Sequence, residues 1–349
     1  MRCVRLTLTL FAIFFLCAPF SAFGQKETGQ ISGRITDALS GDPLGSVNVF
    51  LSGTTRGAFT APDGRYLLAD VPAGHYQIVA SRVDRVVGAG TVDLQSGAHA
   101  TWDCVLGPRE LRSQEVEIIG VSSEEWGRNL VAFRRELLGE GDAAESCIIR
   151  NPEVLEFRRD SATGFFSATT DSVVRIDNPA LGYHLQVTLS SFFWDSLLAR
   201  IDYTLYIQFR PMRARGMEDS LRWREERRAS YRGSLRHFLR SAVARKLSAE
   251  GFYLTTWKGD DLGTEALKII LTRPDGMRVI ATDDVFTIDY GGSAVVQRNV
   301  VRLAQGLVHI RPDGSLVEQQ EFLIDPGSFW AMRRVGSMLP LEYAIDEGE

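Results

Sequence analysis

From residue 31 to residue 106 apolar and polar residues alternate in short runs, separated by turn residues at nearly even intervals. The runs ISGRIT, VNVFL, YLL, HYQIVAS, VDL and TWDCVL alternate with LSGDPLG, SGTTRG, APDG and VPAG. Each separator has a turn mechanism: Pro presets φ, Asp bonds its own backbone, and Gly accepts positive φ. Strands this short, with little helical periodicity, predict an antiparallel β-sandwich of the seven-strand type over residues 25–108.

Beyond Gly107-Pro108 the texture changes. A linker over 109–123, with the strand-like Glu115-Val-Glu-Ile-Ile, leads into Glu124–Leu138, where Trp126, Leu130, Phe133 and Leu137 recur at helical spacing and Gly139 is placed to stop the helix. Long alternating runs follow at Val154–Phe157, Phe165–Ala168, Val173–Ile176, Tyr183–Phe193 and Leu197–Phe209, the last two reading as paired strands about Trp194-Asp195-Ser196. A second helix is predicted from Ser234: Leu235, Phe238, Leu239, Ala242, Val243 and Leu247 form one apolar stripe, Ser234 is an N-cap, and Gly251 a stop. Strand texture resumes at Phe252–Trp257, Leu267–Leu271, Val279–Ile288 and Ala294–Arg298, with Pro274-Asp275-Gly276 and Pro312-Asp313-Gly314 as hairpin punctuation. The whole is mainly β: the sandwich, then a larger β-rich α+β domain over 124–349 with two or three packed helices.

The run "ISGRITDALSGDPLGSVNVFLSGTTRGAFTAPDGRYLLADVPAGHYQIVAS" resembles the carboxypeptidase regulatory-like domain, a transthyretin-like β-sandwich of exported bacterial proteins. Gly41, Pro43, Val47, Gly53, Thr54, Gly57, Asp63-Gly64, Tyr66, Pro72, Gly74 and Tyr76 carry it in order and spacing. Where many members continue with a glycine-aromatic pair, this chain has Val83-Asp84-Arg85, so roles tied to that end of the sandwich are not carried over. The resemblance implies an accessory domain and not the zinc peptidase, whose ligands need fixed spacing; His75, His99, His184, His237 and His309 are scattered. "FRRELLGEGDAAESCIIRNPEVLEF", "IDNPALGY" and "SYRGSLRHFLRSAVARKLSAEGF" resemble the carboxy-terminal region that accompanies this domain in exported proteins of the Bacteroidota, a region with no activity to transfer.

The amino terminus fits export. Arg2 and Arg5 precede the apolar run Leu6–Phe20, and Ser21-Ala22-Phe23-Gly24 supplies small residues for cleavage, so residues 1–24 read as a signal peptide and Gln25 as the mature start. Cys17 follows Phe14-Phe15-Leu16, which disfavours lipidation. No later stretch reaches the roughly 20 apolar residues of a membrane helix. Cys104 and Cys147 remain after cleavage, as one disulfide or as two buried thiols. The net charge of -5 does not suggest a nucleic-acid binder, yet Arg210–Lys246 holds twelve Arg or Lys against four acids, a local +8.

Candidate chemistry concentrates there. Arg232, Ser234 and Arg236, with His237 and Arg240, fit an anion- or partner-binding helix start, since free amides at a helix start attract anions; the favoured reading is a docked helix whose arginines meet carboxylates or water, because charge runs on amphipathic helices are usually the wet face. A Ser234–His237 nucleophile pair lacks an evident orienting acid. Phe193 and Trp194 are candidate aromatic contacts, and alternation sets Phe192 and Trp194 on one face and Phe193 on the other. Asn151-Pro152 and Asn178-Pro179 read as turns. Asp260-Asp261 and Asp283-Asp284 read as solvated pairs, and no metal site, cofactor or catalytic signature is indicated. The expectation is a non-catalytic cell-envelope protein, periplasmic or peripherally associated with the outer membrane. Its partner is an envelope protein, peptide or glycan. The alternative is a hydrolase-like envelope enzyme with its site in the carboxy-terminal domain.

Overall fold

The computed structural model describes residues 28–109 and 122–345, apart from 161–162, 198–199, 257, 264–266, 274–276, 282–284 and 293–295. The signal-peptide stretch, Glu115-Val-Glu-Ile-Ile, Pro274-Asp275-Gly276 and Asp283-Asp284 lie outside the described residues. The fold is mainly β, with an amino-terminal sandwich and a larger β-rich region carrying helices.

The sandwich has eight strands: β1 (Gly29–Asp37), β2 (Asn48–Leu51), β3 (Gly57–Phe59), β4 (Arg65–Val71), β5 (Gly74–Ser81), β6 (Gly88–Leu94), β7 (His99–Thr101) and β8 (Cys104–Leu106). One sheet runs β4-β1-β7 with β8 also on β1, and the other runs β3-β2-β5-β6. Inward positions of the alternating runs, such as Ile31, Ile35, Val49, Leu51, Ile78 and Leu94, fill the core between them. Two details depart from a seven-strand antiparallel sandwich. TWDCVL is split at Trp102-Asp103, and both halves pair with β1 in parallel. The split has a local cause: Asp103 Oδ1 accepts the Arg34 N–H at 2.7 Å, replacing a ladder bond. Gly33 permits the approach, because a Cβ there would lie 1.9 Å from the Trp102 carbonyl oxygen.

The next unit opens with α1 (Ser123–Leu138), capped by Ser122, whose side chain accepts from Glu125 N. A short α2 (Asp142–Glu145) follows, then β9 (Ile148–Ile149), β10 (Leu155–Asp160), β11 (Phe165–Thr170), β12 (Val174–Asn178), β13 (Tyr183–Asp195) and β14 (Arg200–Pro211). The six strands form one sheet, β10-β11-β13-β12-β9, with β14 on β13. β13 and β14 are the long pair expected about Trp194-Asp195-Ser196, paired from Tyr183 opposite Pro211 to Asp195 opposite Arg200 with a register shift between Leu189 and Ser191. α1 covers this sheet: Phe133 meets Phe157 and Phe192 with ring centroids 5.6 and 4.9 Å apart. Asn151 and Asn178 are buried and structural; Asn178 Oδ1 accepts from Leu181 N, and its amide donates to the Gly336 carbonyl.

α3 (Met217–Tyr231) is charged nearly all round, so the alternation reading passed over it. α4 (Leu235–Val243) follows. Then come β15 (Phe252–Thr256), β16 (Lys268–Thr272), β17 (Arg278–Ala281), β18 (Phe286–Tyr290), β19 (Gln297–Leu303), β20 (Leu307–Ile310), β21 (Phe322–Ile324) and a short α5 (Phe329–Met332). They make two sheets, β15-β18-β19-β21 and β16-β17-β20. The continuous run expected over Val279–Ile288 is two strands in different sheets, β17 and β18. Residues 124–345 are likewise built on two apolar clusters. One lies under α1 and the six-stranded sheet, and the other under α4 and the last two sheets.

Candidate functional site

The reactive-looking residues of Ser230–Arg240 gather where α3 ends and α4 begins. Gly233 turns the chain there with φ +74°, and a Cβ would lie 2.6 Å from the Tyr290 ring, so the position favours glycine. Ser234 caps α4 as expected, its hydroxyl oxygen accepting from His237 N at 3.2 Å. Leu235, Phe238, Leu239 and Ala242 dock the helix onto the last core; the helix itself ends at Val243, and Leu247 is buried beyond it.

His237 is no nucleophile's base. Its Nδ1 accepts the Gly233 N–H at 3.1 Å, and its Nε2 lies 3.2 Å from a Glu250 carboxylate oxygen. Both ring nitrogens are therefore committed, and the proton sits on the side facing Glu250. The ring is 5% exposed and packs against Tyr231, Phe252 and Tyr290 at 5.1, 4.9 and 5.7 Å. Burial lowers its pKa below the usual 6.5, Glu250 opposes the shift, and Arg232 and Arg240 reinforce it. Glu250 is the acid that reading the neighbouring sequence did not find, because it comes in after the helix has ended.

Arg236 and Arg240 are half-buried and spent on backbone carbonyls. Arg236 donates to the Pro340 and Leu339 carbonyls at 2.7 and 3.1 Å. Arg240 donates to the carbonyls of Asp313, Tyr343 and Leu341 at 2.7, 2.9 and 3.0 Å, and to the Tyr231 hydroxyl at 3.3 Å. Burial, with Arg240 alongside, brings the Arg236 pKa down to about 10, which still leaves it charged at neutral pH. The two guanidiniums thus grip the segment 339–343. That segment also reaches the sandwich: Leu341 N donates to Gly53 O at 2.7 Å, and Thr55 N donates to the Glu342 carboxylate at 2.7 Å. The Gly53-Thr54 loop in turn lies along β14, with Gly53 N donating to Ile207 O at 2.7 Å and Phe209 N to Thr54 O at 2.9 Å.

Arg232 is different. It is exposed at the end of α3, and its guanidinium makes no hydrogen bond or ion pair among the described residues. It lines a half-open cavity of about 180 Å³ together with Ser234, Leu235, Phe329, Arg333 and Met338. Arg236 and Arg334 also reach its wall but are spent, Arg334 on Glu136 at 2.6 Å. Arg333 lies over the Phe329 ring at 4.7 Å and has Ser337 Oγ 3.4 Å away. Burial lowers its pKa, and Asp142 opposes this only through its field, without an ion pair. No carboxylate lines the cavity. Arg333 and Ser337 were missed because they arrive from about a hundred residues downstream; the Arg333-Arg334 pair inside an aromatic-rich stretch was the available signal.

Phe193 and Trp194 are not brought to this cavity. Trp194 is half-buried and packs on the core, edge-on to Phe166 at 6.1 Å and beneath Arg135 at 5.4 Å. Phe193 points outward, 43% exposed, beside Phe165 at 5.6 Å. Cys104 and Cys147 are free thiols in separate cores, and burial pushes Cys147 up to about 12. Among the described residues no three His, Cys, Asp or Glu side chains gather to hold a metal, and no helix is long and apolar enough to cross a membrane.

Residues 30–107 match the family model of the carboxypeptidase regulatory-like domain. No curated protein matches the chain. Among solved structures, the chain is similar to a cohesin–X-dockerin complex from Acetivibrio cellulolyticus, at 17% identity and TM-score 0.21 over 23% of this chain and 58% of that one. It is similar to the pilus 2b backbone protein of group B streptococcus, at 15% and 0.21 over 24% and 42%. It is also similar to 5-hydroxyisourate hydrolase of Klebsiella pneumoniae, at 22% and 0.20 over 23% and 91%. The chain thus spans less than two thirds of the first of these, and the likeness carries no inference about activity.

Proposed function

We propose that the protein is a non-catalytic cell-envelope protein in which an accessory β-sandwich, residues 25–108, is joined through 109–123 to a carboxy-terminal region, 124–349, that binds a partner or ligand. The observation that carries this reading is the division of labour among the basic residues at the α3–α4 junction. Ser234, His237, Arg236 and Arg240 are spent on backbone groups and on Glu250, whereas Arg232 and Arg333 line a cavity without carboxylates. With its Nδ1 lone pair taken by the Gly233 N–H, His237 has no free base position for the Ser234 proton, which weighs against a hydrolase site here. Two guanidiniums without a carboxylate partner among the described residues, beside apolar walls, are what a recognition site presents. The match of residues 30–107 to a non-catalytic accessory domain supports the same reading, as does the leader expected at the amino terminus.

The test is affinity capture from detergent-solubilised envelope, with the wild-type chain and an Arg232→Gln/Arg333→Gln double variant as baits. Proteins or glycans retained by the first and lost by the second are expected. Identical recovery by both baits, or recovery of bait alone, contradicts the reading.

A further inference from the structure

The cavity at the α3–α4 junction has dimensions and chemistry that narrow its ligand. Its volume of about 180 Å³ is near that of an apolar cavity of roughly 150 Å³ that holds one benzene, and below the roughly 300 Å³ at which drug-sized ligands begin. One group of side-chain size fills it. Leu235, Phe329 and Met338 offer that group apolar contact, and Arg232 and Arg333 also line it, with no acid among the lining residues; Arg333 in addition donates to Ser337 Oγ at 3.4 Å. The Ser234 hydroxyl accepts from His237 N, and its own proton is left to donate.

Three ligand chemistries compete for such a site. A bare inorganic anion satisfies the guanidiniums and leaves the apolar wall wet. A neutral hydrocarbon fills the wall and desolvates the guanidiniums without pairing them, which is costly. A carboxylate carried on a short apolar group satisfies both, and the planar guanidinium matches the two carboxylate oxygens. Resting on the reading that this cavity is the binding face, we propose that it takes an apolar monocarboxylate of side-chain size, with the carboxylate at Arg232 and Arg333 and the hydrocarbon against Leu235, Phe329 and Met338. Two sources share that chemistry: a free short-chain acid, and the last residue of a polypeptide that ends in an apolar side chain.

Isothermal titration of the mature chain with hexanoate, hexanamide and acetate, and with a pentapeptide ending in leucine as free acid or as amide, tests this. Hexanoate or the free-acid peptide binds at least tenfold more tightly than its amide and than acetate. Arg232→Gln and Arg333→Gln each weaken it about tenfold, and Met338→Trp, which fills the cavity, abolishes it. Binding of hexanoate but not peptide assigns the free acid, and tighter binding of the peptide assigns the chain end. Equal binding of acid and amide, insensitivity to both arginine variants, or no binding by either acid overturns the assignment. Near-ultraviolet circular dichroism checks folding, and since Arg232 is exposed and unpaired, that variant remains informative if Met338→Trp misfolds. A protein that still captures an envelope partner through Arg232 and Arg333, yet binds neither acid nor peptide, loses this ligand class and keeps the proposed function.

Discussion

His237 shows how environment decides what a residue type does. In sequence it stands three residues after a serine, the spacing of a nucleophile and its base on a helix. In the fold its ring is a core aromatic, closed in by Tyr231, Phe252 and Tyr290. Its only charged hydrogen-bond partner is Glu250, while Arg232 and Arg240 repel the imidazolium. Because its folded pKa lies below 6.5, the unfolded chain takes up the proton first as pH falls. Stability from this group is complete above the unfolded pKa and declines as pH drops from about 6.5 towards the lower folded value. Urea midpoints measured at steps from pH 7.5 to 5.5 should fall for the wild type and fall less steeply for His237→Phe. Parallel slopes in the two proteins contradict this placement of the histidine.

At the scale of elements, what the sequence made legible was whatever depends on near neighbours. The sandwich strands follow from alternation and turn residues: Asp63 Oδ1 accepts from Arg65 N, and Asp313 Oδ1 from Ser315 N, as the Pro-Asp-Gly triplets imply. The start and apolar stripe of α4 follow from Ser234 and the spacing of Leu235, Phe238 and Leu239. The duty of Arg236 and Arg240 does not, because their carbonyl acceptors lie 73 to 104 residues away in the chain. Nor does the break between β17 and β18, where a continuous β pattern passes from one sheet to another. α3 is nearly featureless by periodicity; its Trp223 and Arg227 donate to the Pro179 and Leu181 carbonyls, contacts a hydrophobic pattern cannot announce. The arginine grip has a measurable worth. Arg240→Ala strips three carbonyls of their charged donor, and a buried group left unpaired costs about 1–3 kcal/mol. Because water re-satisfies part of the loss, the expected destabilisation is about 3 kcal/mol in urea unfolding. Arg240→Lys should recover little of it, since one ammonium cannot span the fork. A loss under about 0.5 kcal/mol, the range of ordinary surface substitutions, would falsify the grip.

Across the whole molecule, three apolar cores meet at one short segment. Residues 339–343 touch the sandwich through Gly53 and Thr55, α4 through Arg236 and Arg240, and the middle core through Leu339 and Tyr343. In the Val83-Asp84-Arg85 departure from the resembling family, Arg85 pairs with the buried Asp37, and Asp84, itself exposed, pairs with Arg82 at 2.6 Å. With most of its basic groups bound internally, the α3–α4 junction offers Arg232 and Arg333 outward at a single cavity. That is the reason to place recognition there and not at the aromatic Phe193, which sits on another sheet. Met338, 41% exposed at the cavity wall, permits the most direct test. A benzophenone amino acid at that position, irradiated in intact cells making the full chain, should give a discrete cross-linked adduct. The adduct should vanish when Arg232 and Arg333 are both glutamine. No adduct at Met338, or one of equal yield in the double variant, would contradict the account.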